Sequence, residues 1–172
     1  MSEYIEFSLL DEKGVERNVK MNKDDAEDVW ILRERWGKYA LKTPKFYKLI
    51  PHTENEHRRI RVGTRYYYLH RVFYYAHNPD WNINDRSRDN QIDHKDQNPF
   101  NNSISNLRVA NHTMNQQNSS WAKGYCWSKQ HNKWRATIYS DGKQKHLGLF
   151  GNEEDARNAY LEARTKYHTF AI

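Results

Sequence analysis

The chain has 172 residues, a length that fits one ordinary domain or two to three small ones. Cys126 is the single cysteine, which excludes an internal disulfide and a zinc site built on cysteine pairs. No apolar stretch approaches the length of a membrane span, and the acidic, alternating N-terminus differs from a signal peptide. We therefore expect a cytoplasmic protein with no membrane partner and no structural zinc.

The formal charge of +6 and the pI near 9.3 favour a polyanionic partner. This charge is uneven, because residues 121–172 carry nine Lys and Arg against five Asp and Glu, whereas residues 91–120 carry two of each. The C-terminal segment is therefore the stronger candidate for a nucleic-acid surface. Aromatic residues make up 14% of the chain although its mean hydropathy is −1.16, which favours small cores anchored by Trp and Tyr.

Residues 1–57 predict a small α+β subdomain with a structural role. Residues 4–9 alternate weakly in the manner of a strand. Asn22 is suited to cap a helix near residues 23–33, because acidic residues follow it in the first turn. Residues 36–41 predict a further short strand.

Residues 58–76 predict a β-hairpin followed by a helix. Arg59 and Arg61 alternate with apolar residues on the first strand, so their side chains point away from the core and could reach phosphates. Four apolar residues share one face of the following helix: Leu69, Val72, Phe73 and Ala76. The aromatic residues here are expected to serve the core. Residues 77–91 are polar and interrupted by proline, which predicts a long loop.

The stretch from Asp93 to Asn118, DHKDQNPFNNSISNLRVANHTMNQQN, contains seven asparagines beside an Asp-His pair. A strand reaches it through Ile92. Residues 98–102 must form a loop because proline and asparagine cannot continue a strand. Residues 107–117 predict a helix. By composition alone, such a stretch could equally be a polar loop with helix caps.

The chemistry of these residue types suits a cation next to a nucleic-acid backbone. A carboxylate and an amide oxygen are hard ligands for Mg²⁺, and an imidazole near neutral pH can accept a proton from water. Adjacent residues of a strand point to opposite faces, so Asp93 and His94 can serve one site only if the backbone bends there. Asn106 is suited to brace that bend, because its amide both donates and accepts hydrogen bonds.

The spacing of four polar residues resembles the HNH nuclease motif, also called the ββα-metal motif. An Asp-His pair is followed by an asparagine on the loop and by a third residue nine positions later, here Asp93-His94, Asn106 and Asn115. Further patterns are similar to those of phage homing endonucleases: DHKD-x-N at 93–98, N-N-x-x-x-N-L-R at 101–108 and Leu-His-Arg at 69–71. The resemblance spans about residues 20–120.

This resemblance implies a role for each motif residue. His94 is the general base, Asn106 orients the loop and His94, and Asp93 and Asn115 hold one divalent cation, Mg²⁺ or Mn²⁺. Asn115 stands where the standard motif has histidine, so His112, one helical turn earlier, is the alternative ligand. Two basic residues are candidates for phosphate contacts, with an ordinary exposed position as the alternative: Lys95 and Arg108.

Residues 124–172 predict a small sheet packed against a helix. The strand from Trp134 has one apolar and one polar face, and Asp141-Gly142 is a strong hairpin signal. Asn152 is suited to cap a helix whose inner stripe is Ala156, Ala159, Tyr160 and Ala163.

This segment resembles the plant APETALA2/ethylene-response DNA-binding domain, with matches at Gly124, Lys133-Trp134, Ile138, Leu147-Gly148, Phe150 and residues 154–160. The resemblance implies a three-stranded antiparallel sheet on one helix, with the sheet in the major groove. The implied DNA-contact candidates are Ser128, Arg135, Thr137, Tyr139, Gln144 and His146, with Lys143 and Lys145 for phosphates. Several arginines of the plant domains are absent, so their site preference does not carry over. The alternative is a structural domain with ordinary exposed lysines.

Together these patterns predict an α+β protein with three domains, at residues 1–57, 58–119 and 120–172. We expect a metal-dependent endonuclease of the HNH homing type that hydrolyses phosphodiester bonds in double-stranded DNA. A monomer with one catalytic centre would nick one strand, in the host cytoplasm if the protein is phage-encoded. Two alternatives stay open: a non-enzymatic DNA-binding regulator with a degenerate HNH core, and a relatively nonspecific nuclease of defence or degradation.

Overall fold

The computed structural model describes residues 3–33, 45–54, 57–119 and 123–168. The chain divides into two compact units, Met1–Val109 and Ala110–Ile172. Antiparallel sheets and α-helices occur together, which confirms the predicted α+β class. The three-domain division stays a prediction. Within the described part of the chain, no helix has the length and apolar character needed to cross a membrane.

A four-stranded antiparallel sheet forms the N-terminal part of the first unit. Its strands follow chain order: β1 (Tyr4–Leu10), β2 (Glu16–Asn22), β3 (Val29–Arg33) and β4 (Lys45–Lys48). The prediction of a strand over residues 4–9 is confirmed by β1. The strand predicted over residues 36–41 lies outside the described residues.

The helix predicted over residues 23–33 is wrong. The Asn22 side chain does accept hydrogen bonds from the N–H groups of Asp24 and Asp25, at 2.9 and 3.3 Å. The chain then continues into β3, where Val29 and Ile31 are buried at alternate positions and pair with β2. An asparagine side chain accepts hydrogen bonds from the following N–H groups both in turns and at helix N-termini. This hydrogen bond by itself therefore does not distinguish a turn from a helix.

A hairpin and a helix follow, as predicted. A second antiparallel sheet consists of β5 (His52–Glu54), β6 (His57–Val62) and β7 (Arg65–Tyr68), and it leads into α1 (Leu69–His77). Ile60 and Val62 are fully buried on β6. The buried face of α1 contains the four predicted apolar residues.

The core of the first unit is mainly aliphatic. One cluster joins the N-terminal sheet, the hairpin and α1 through residues such as Leu9, Val19, Val29, Ile60 and Phe73. The prediction of small Trp- and Tyr-anchored cores is therefore wrong for this unit, because its strands bring branched aliphatic residues to one buried face. It fits the second unit, where Ile138, Tyr160 and Ala163 form the core with flanking tyrosines.

The central stretch folds as two strands and a short helix. β8 (Gln91–His94) pairs with β9 (Leu107–Ala110), and α2 (His112–Gln117) follows. The helix predicted over residues 107–117 is therefore wrong for its first part, since pairing with β8 keeps residues 107–110 extended. Asn111 begins α2, because its side chain accepts from the N–H of Met114 at 2.8 Å.

The C-terminal part has the predicted sheet packed on a helix. β10 (Tyr125–Ser128), β11 (Lys133–Ser140) and β12 (Lys143–Phe150) form an antiparallel sheet, and α3 (Glu153–Tyr167) follows. Asp141 and Gly142 both have positive φ, 54° and 72°, as a tight hairpin turn requires. Asn152 caps α3, because its side chain accepts from the N–H of Asp155 at 2.8 Å.

Gly124 lies where no side chain fits. A Cβ there would be 2.1 Å from the Tyr160 ring and 2.6 Å from the backbone oxygen of Thr137. We predict that Gly124→Ala lowers the free energy of unfolding by about 2 kcal/mol through overpacking. Gly151→Ala is the control, because a Cβ at Gly151 meets nothing within 4 Å. Urea denaturation of both full-length variants tests this, and equal stabilities would contradict it.

Candidate active site

Asp93 and His94 are the last two residues of β8, and both side chains are buried, with 7% exposure or less. Ile92 before them is also buried, so both faces of this strand end are covered. The chain turns directly after His94. The N–H of Gln97 donates to the carbonyl oxygen of His94 at 3.0 Å, and Gln97 has a φ of 63°.

The His94 imidazole is held by an asparagine that the sequence did not single out. Its Nε2 lies 3.0 Å from Oδ1 of the buried Asn102. An amide oxygen only accepts, so this contact is a hydrogen bond in the tautomer that carries its proton on Nε2, in which Nδ1 is the basic nitrogen. Asn102 belongs to the N-N pair of the motif, but spacing cannot show which of two neighbouring asparagines faces inward.

Asn106 braces the loop after β8. Its Oδ1 accepts from the N–H of Asp96 at 3.0 Å, and its Nδ2 donates to Asp96 Oδ1 at 2.9 Å and to the carbonyl oxygen of Asn101 at 2.7 Å. Burial raises the pKa of Asp96, but hydrogen bonds from Asn101, Asn98 and Asn106 lower it more, so this pKa lies below its usual value. Asp96 is a second loop-holding residue that sequence reasoning missed.

Arg108 lies against Asp93. Its Nε donates to Asp93 Oδ2 at 2.9 Å, and both side chains are largely buried. The sequence predicted a phosphate contact or an exposed position for this arginine, whereas the structure places it on the predicted metal ligand. Lys95 also contacts the protein, because its Nζ donates to the carbonyl oxygen of Ser105 at 2.5 Å.

The other predicted metal ligands lie on α2, in the second unit. His112 is the first residue of this helix. Asn115 follows within one turn, and its N–H donates to the carbonyl oxygen of Asn111 at 3.0 Å. Asn118 is buried at the C-terminal cap. Asp93 belongs to the first unit, so the choice of Asn115 or His112 as its co-ligand stays a prediction.

The Asp93 carboxylate is of the chemical kind that binds a hard divalent cation. No cluster of three or more His, Cys, Asp or Glu that could hold a metal occurs in the part of the chain that the structure describes. A buried carboxylate such as Asp93 is an oxygen ligand of the type that Mg²⁺ and Mn²⁺ prefer. A carboxylate accepts from several partners at once, so the bond from Arg108 does not exclude a cation.

Comparison with known proteins bears directly on this segment. Residues 67–117 match the HNH endonuclease family, a range that includes β8, the braced loop and α2. Residues 67–117 are therefore similar to an HNH endonuclease domain, and the match does not extend to the rest of the chain. It is also similar to Protein 3.8 of Escherichia phage T7, with 42% identity over 63 residues, which are 33% of this chain and 52% of the phage protein. The chain thus matches about half the length of that relative. No solved structure gives a significant match.

The arginines predicted to assist the HNH domain lie on the hairpin strand β6. Arg59 and Arg61 alternate with the buried Ile60 and Val62, as predicted. The Arg59 guanidinium lies 4.6 Å from the centroid of the Tyr66 ring. The Nε of Arg61 donates to the carbonyl oxygen of Gly63 at 2.8 Å.

Six C-terminal DNA-contact candidates share one face of the sheet: Ser128, Arg135, Thr137, Tyr139, Gln144 and His146. This follows from alternation along β11 and from strand pairing, since Thr137 lies opposite His146 and Tyr139 opposite Gln144. The Nε2 of Gln144 donates to Thr137 Oγ1 at 3.4 Å, on that same face.

The two lysines predicted for phosphates lie on the other face. Lys143 and Lys145 pair with Ser140 and Ile138, which are buried. Lys145 Nζ lies 4.0 Å from the Tyr167 ring centroid of α3 and 3.3 Å from Asp141 Oδ2. The structure therefore does not group these lysines with the six other candidates.

His70 packs against the general-base candidate inside the HNH domain. Its ring lies 5.1 Å from His94, 5.5 Å from His57 and 5.6 Å from Tyr68, measured between centroids. Burial holds the pKa of His70 well below its usual value, and positive charge on His94, His57 and Arg71 lowers it further. His70 is therefore neutral in the folded protein at neutral pH.

The lowered pKa of His70 predicts a loss of stability in mild acid. Below about pH 6.5 the unfolded chain binds a proton at His70 that the folded protein does not bind, so stability falls as pH falls. The contribution approaches one proton, about 1.4 kcal/mol per pH unit. We expect His70→Phe to flatten the unfolding free energy between pH 7 and pH 5, measured by urea denaturation. The exposed His131→Phe is the control. Identical pH slopes for wild type and His70→Phe would contradict this prediction.

Proposed function

We propose that this chain is a metal-dependent endodeoxyribonuclease of the HNH homing type that nicks one strand of double-stranded DNA. The observation that carries the proposal is the buried Asp93-His94 pair at the end of β8, with the imidazole fixed by Asn102. This pair lies within the segment that matches HNH endonucleases. One chain has one such pair, so a monomer would cut a single strand at each encounter.

His94 is the proposed general base. Its Nδ1 takes a proton from the water that attacks phosphorus, and the ring becomes an imidazolium. The oxygen of Asn102 accepts from Nε2–H throughout, so it fixes the tautomer and stabilises the positive ring. Asn106 acts through the loop, because its hydrogen bonds to Asp96 and Asn101 hold the segment that presents Asn102.

Asp93 and Asn115 are the proposed ligands of one divalent cation, Mg²⁺ or Mn²⁺, with His112 as the alternative to Asn115. The cation, when bound, neutralises negative charge that develops on the leaving oxygen. Arg108 holds the Asp93 carboxylate in place and offsets its charge in the buried site. Both ligand positions fall inside the matched range of residues 67–117.

The C-terminal sheet is the proposed DNA-reading surface, with the segment acting as an APETALA2-like domain. Its architecture is that of a three-stranded antiparallel sheet on one helix. The six polar and aromatic candidates on its outward face offer donors and acceptors of the kind that read base edges. The net charge of residues 121–172 supports the same assignment.

Similarity to a phage T7 protein supports a phage origin and action in the host cytoplasm.

The His94→Ala variant tests the catalytic proposal. We expect nicking of supercoiled plasmid or phage DNA with Mg²⁺ or Mn²⁺ to fall by about a hundredfold or more, because general-base assistance is lost. DNA binding in a mobility shift should stay within a few fold. The control is His131→Ala, at an exposed turn position. Undiminished nicking by His94→Ala would refute the role, and no nicking by wild type would favour the DNA-binding regulator.

Variants of the two sheet faces test the DNA-reading proposal. Arg135→Ala removes an outward guanidinium, and we expect about tenfold weaker binding of phage DNA fragments with a shallower salt dependence. Lys145→Ala removes the same charge from the helix-facing side and should change affinity much less. Titrations by mobility shift at several salt concentrations measure both effects. Equal losses for the two variants would contradict the assignment of the outward face.

A further inference from the structure

A basic groove of about 490 Å³ lies in the first unit, and among its described lining residues Arg59 alone belongs to the DNA-contact candidates named above. Its lining includes four arginines, from β6, β7, α1 and the following loop, and three consecutive tyrosines of β7. None of the lining residues that the structure describes is acidic. Such a lining attracts an anion with an aromatic part, and a nucleotide has both.

Two tyrosine rings of the groove are exposed. Tyr66 and Tyr68 are 41% and 45% exposed, while Tyr67 between them is buried and donates its hydroxyl to the carbonyl oxygen of Leu10 at 2.6 Å. Alternation along β7 therefore places Tyr66 and Tyr68 on one face. Exposed aromatic rings beside cations are the usual platform on which unpaired bases stack.

Two of the arginines that line the groove, Arg71 and Arg86, repel each other electrostatically. Arg71 is tied to the loop, since its guanidinium donates to the carbonyl oxygens of Asn90, Ile83 and Asp85 at 2.8 to 3.0 Å. Burial lowers the pKa of Arg71, and the like charge of Arg86 lowers it further, against an opposing effect of Asp85. An anion placed beside Arg86 would relieve this repulsion.

The groove borders β8, the strand that ends in Asp93 and His94. Gln91 lines it and lies two residues before Asp93 on β8, so both side chains point to the same face, about 6.6 Å apart along the strand. Tyr68 is also stacked on His70, and His70 contacts the His94 ring.

We propose that this groove binds one or two unstacked nucleotides of the DNA strand being cut, next to the phosphodiester that His94 acts on. Bases stack on Tyr66 and on Tyr68, and Arg86 contacts a phosphate oxygen. The volume is that of a small-ligand pocket, which admits a single strand and not a duplex. The position next to the scissile bond rests on the proposed nuclease function, whereas the affinity for unpaired nucleotides does not.

The test measures binding of a fluorescein-labelled single-stranded 12-mer by the full chain, using fluorescence anisotropy in EDTA. We expect Tyr66→Ala and Tyr68→Ala each to weaken binding about tenfold, because a stacked base is lost, and Tyr68→Phe to bind as wild type. Arg86→Ala should reduce the slope of log affinity against log salt by about 0.7. Thermal melts show whether each variant is folded.

Tyr47→Ala is the matched control. Tyr47 lies on β4, is 37% exposed and carries Arg33 at 5.4 Å from its centroid, an arrangement like that of Tyr66 and Arg59. Wild-type affinity in both folded groove variants, or an equal loss in Tyr47→Ala, would overturn the inference. Failure of the proposed nuclease function would give a different result. If the wild-type protein never nicks DNA but Tyr66→Ala still binds the single strand more weakly, the nuclease proposal fails and the groove proposal stands. If the wild type nicks DNA but its groove variants bind the single strand with wild-type affinity, only the groove proposal is rejected.

Discussion

The burial of Asp93 and His94 at the end of one short strand is the constraint on which the HNH domain depends. Removing a carboxylate and an imidazole from water costs free energy unless each has a hydrogen-bond or ion-pair partner. Arg108 supplies the opposite charge and Asn102 supplies the acceptor. Asn102 lies in the loop after β8 and Arg108 lies on β9, so β8, the loop and β9 must form together for both residues to have their partners.

This requirement explains why asparagine is so frequent in the centre of the chain. An amide donates and accepts without adding charge, so Asn101, Asn102 and Asn106 can hold a tight loop while the local net charge stays at zero. In the proposed nuclease site, these neutral loop residues add no charge of their own beside the cation and the phosphate. Lysines or glutamates in the same places would hold the loop but would repel one of the two.

Arg108 contacts Asp93, but other cationic side chains lie on separate surfaces that are suited to contact nucleic acid. The groove beside β7 combines arginines with exposed tyrosines, and the C-terminal sheet places Arg135 among polar side chains on its outward face. Affinity for a phosphate backbone is largely additive in such charges and depends on salt, whereas proton transfer depends on the fixed geometry of one imidazole. Separate surfaces allow each property to be adjusted without disturbing the other.

The sequence by itself determined the features that are encoded within a few residues. Periodicity predicted the hairpin, α1 and α3, the Asp-Gly pair predicted the last hairpin turn, and motif spacing predicted the Asp93-His94 pair. Tertiary structure alone decided that residues 107–110 are a strand, that residues 29–33 are one too, that Asn102 holds His94, and that Arg108 lies on Asp93. The physical reason is distance along the chain. Strand pairing and buried polar contacts join residues far apart in sequence, whose approach no local pattern specifies.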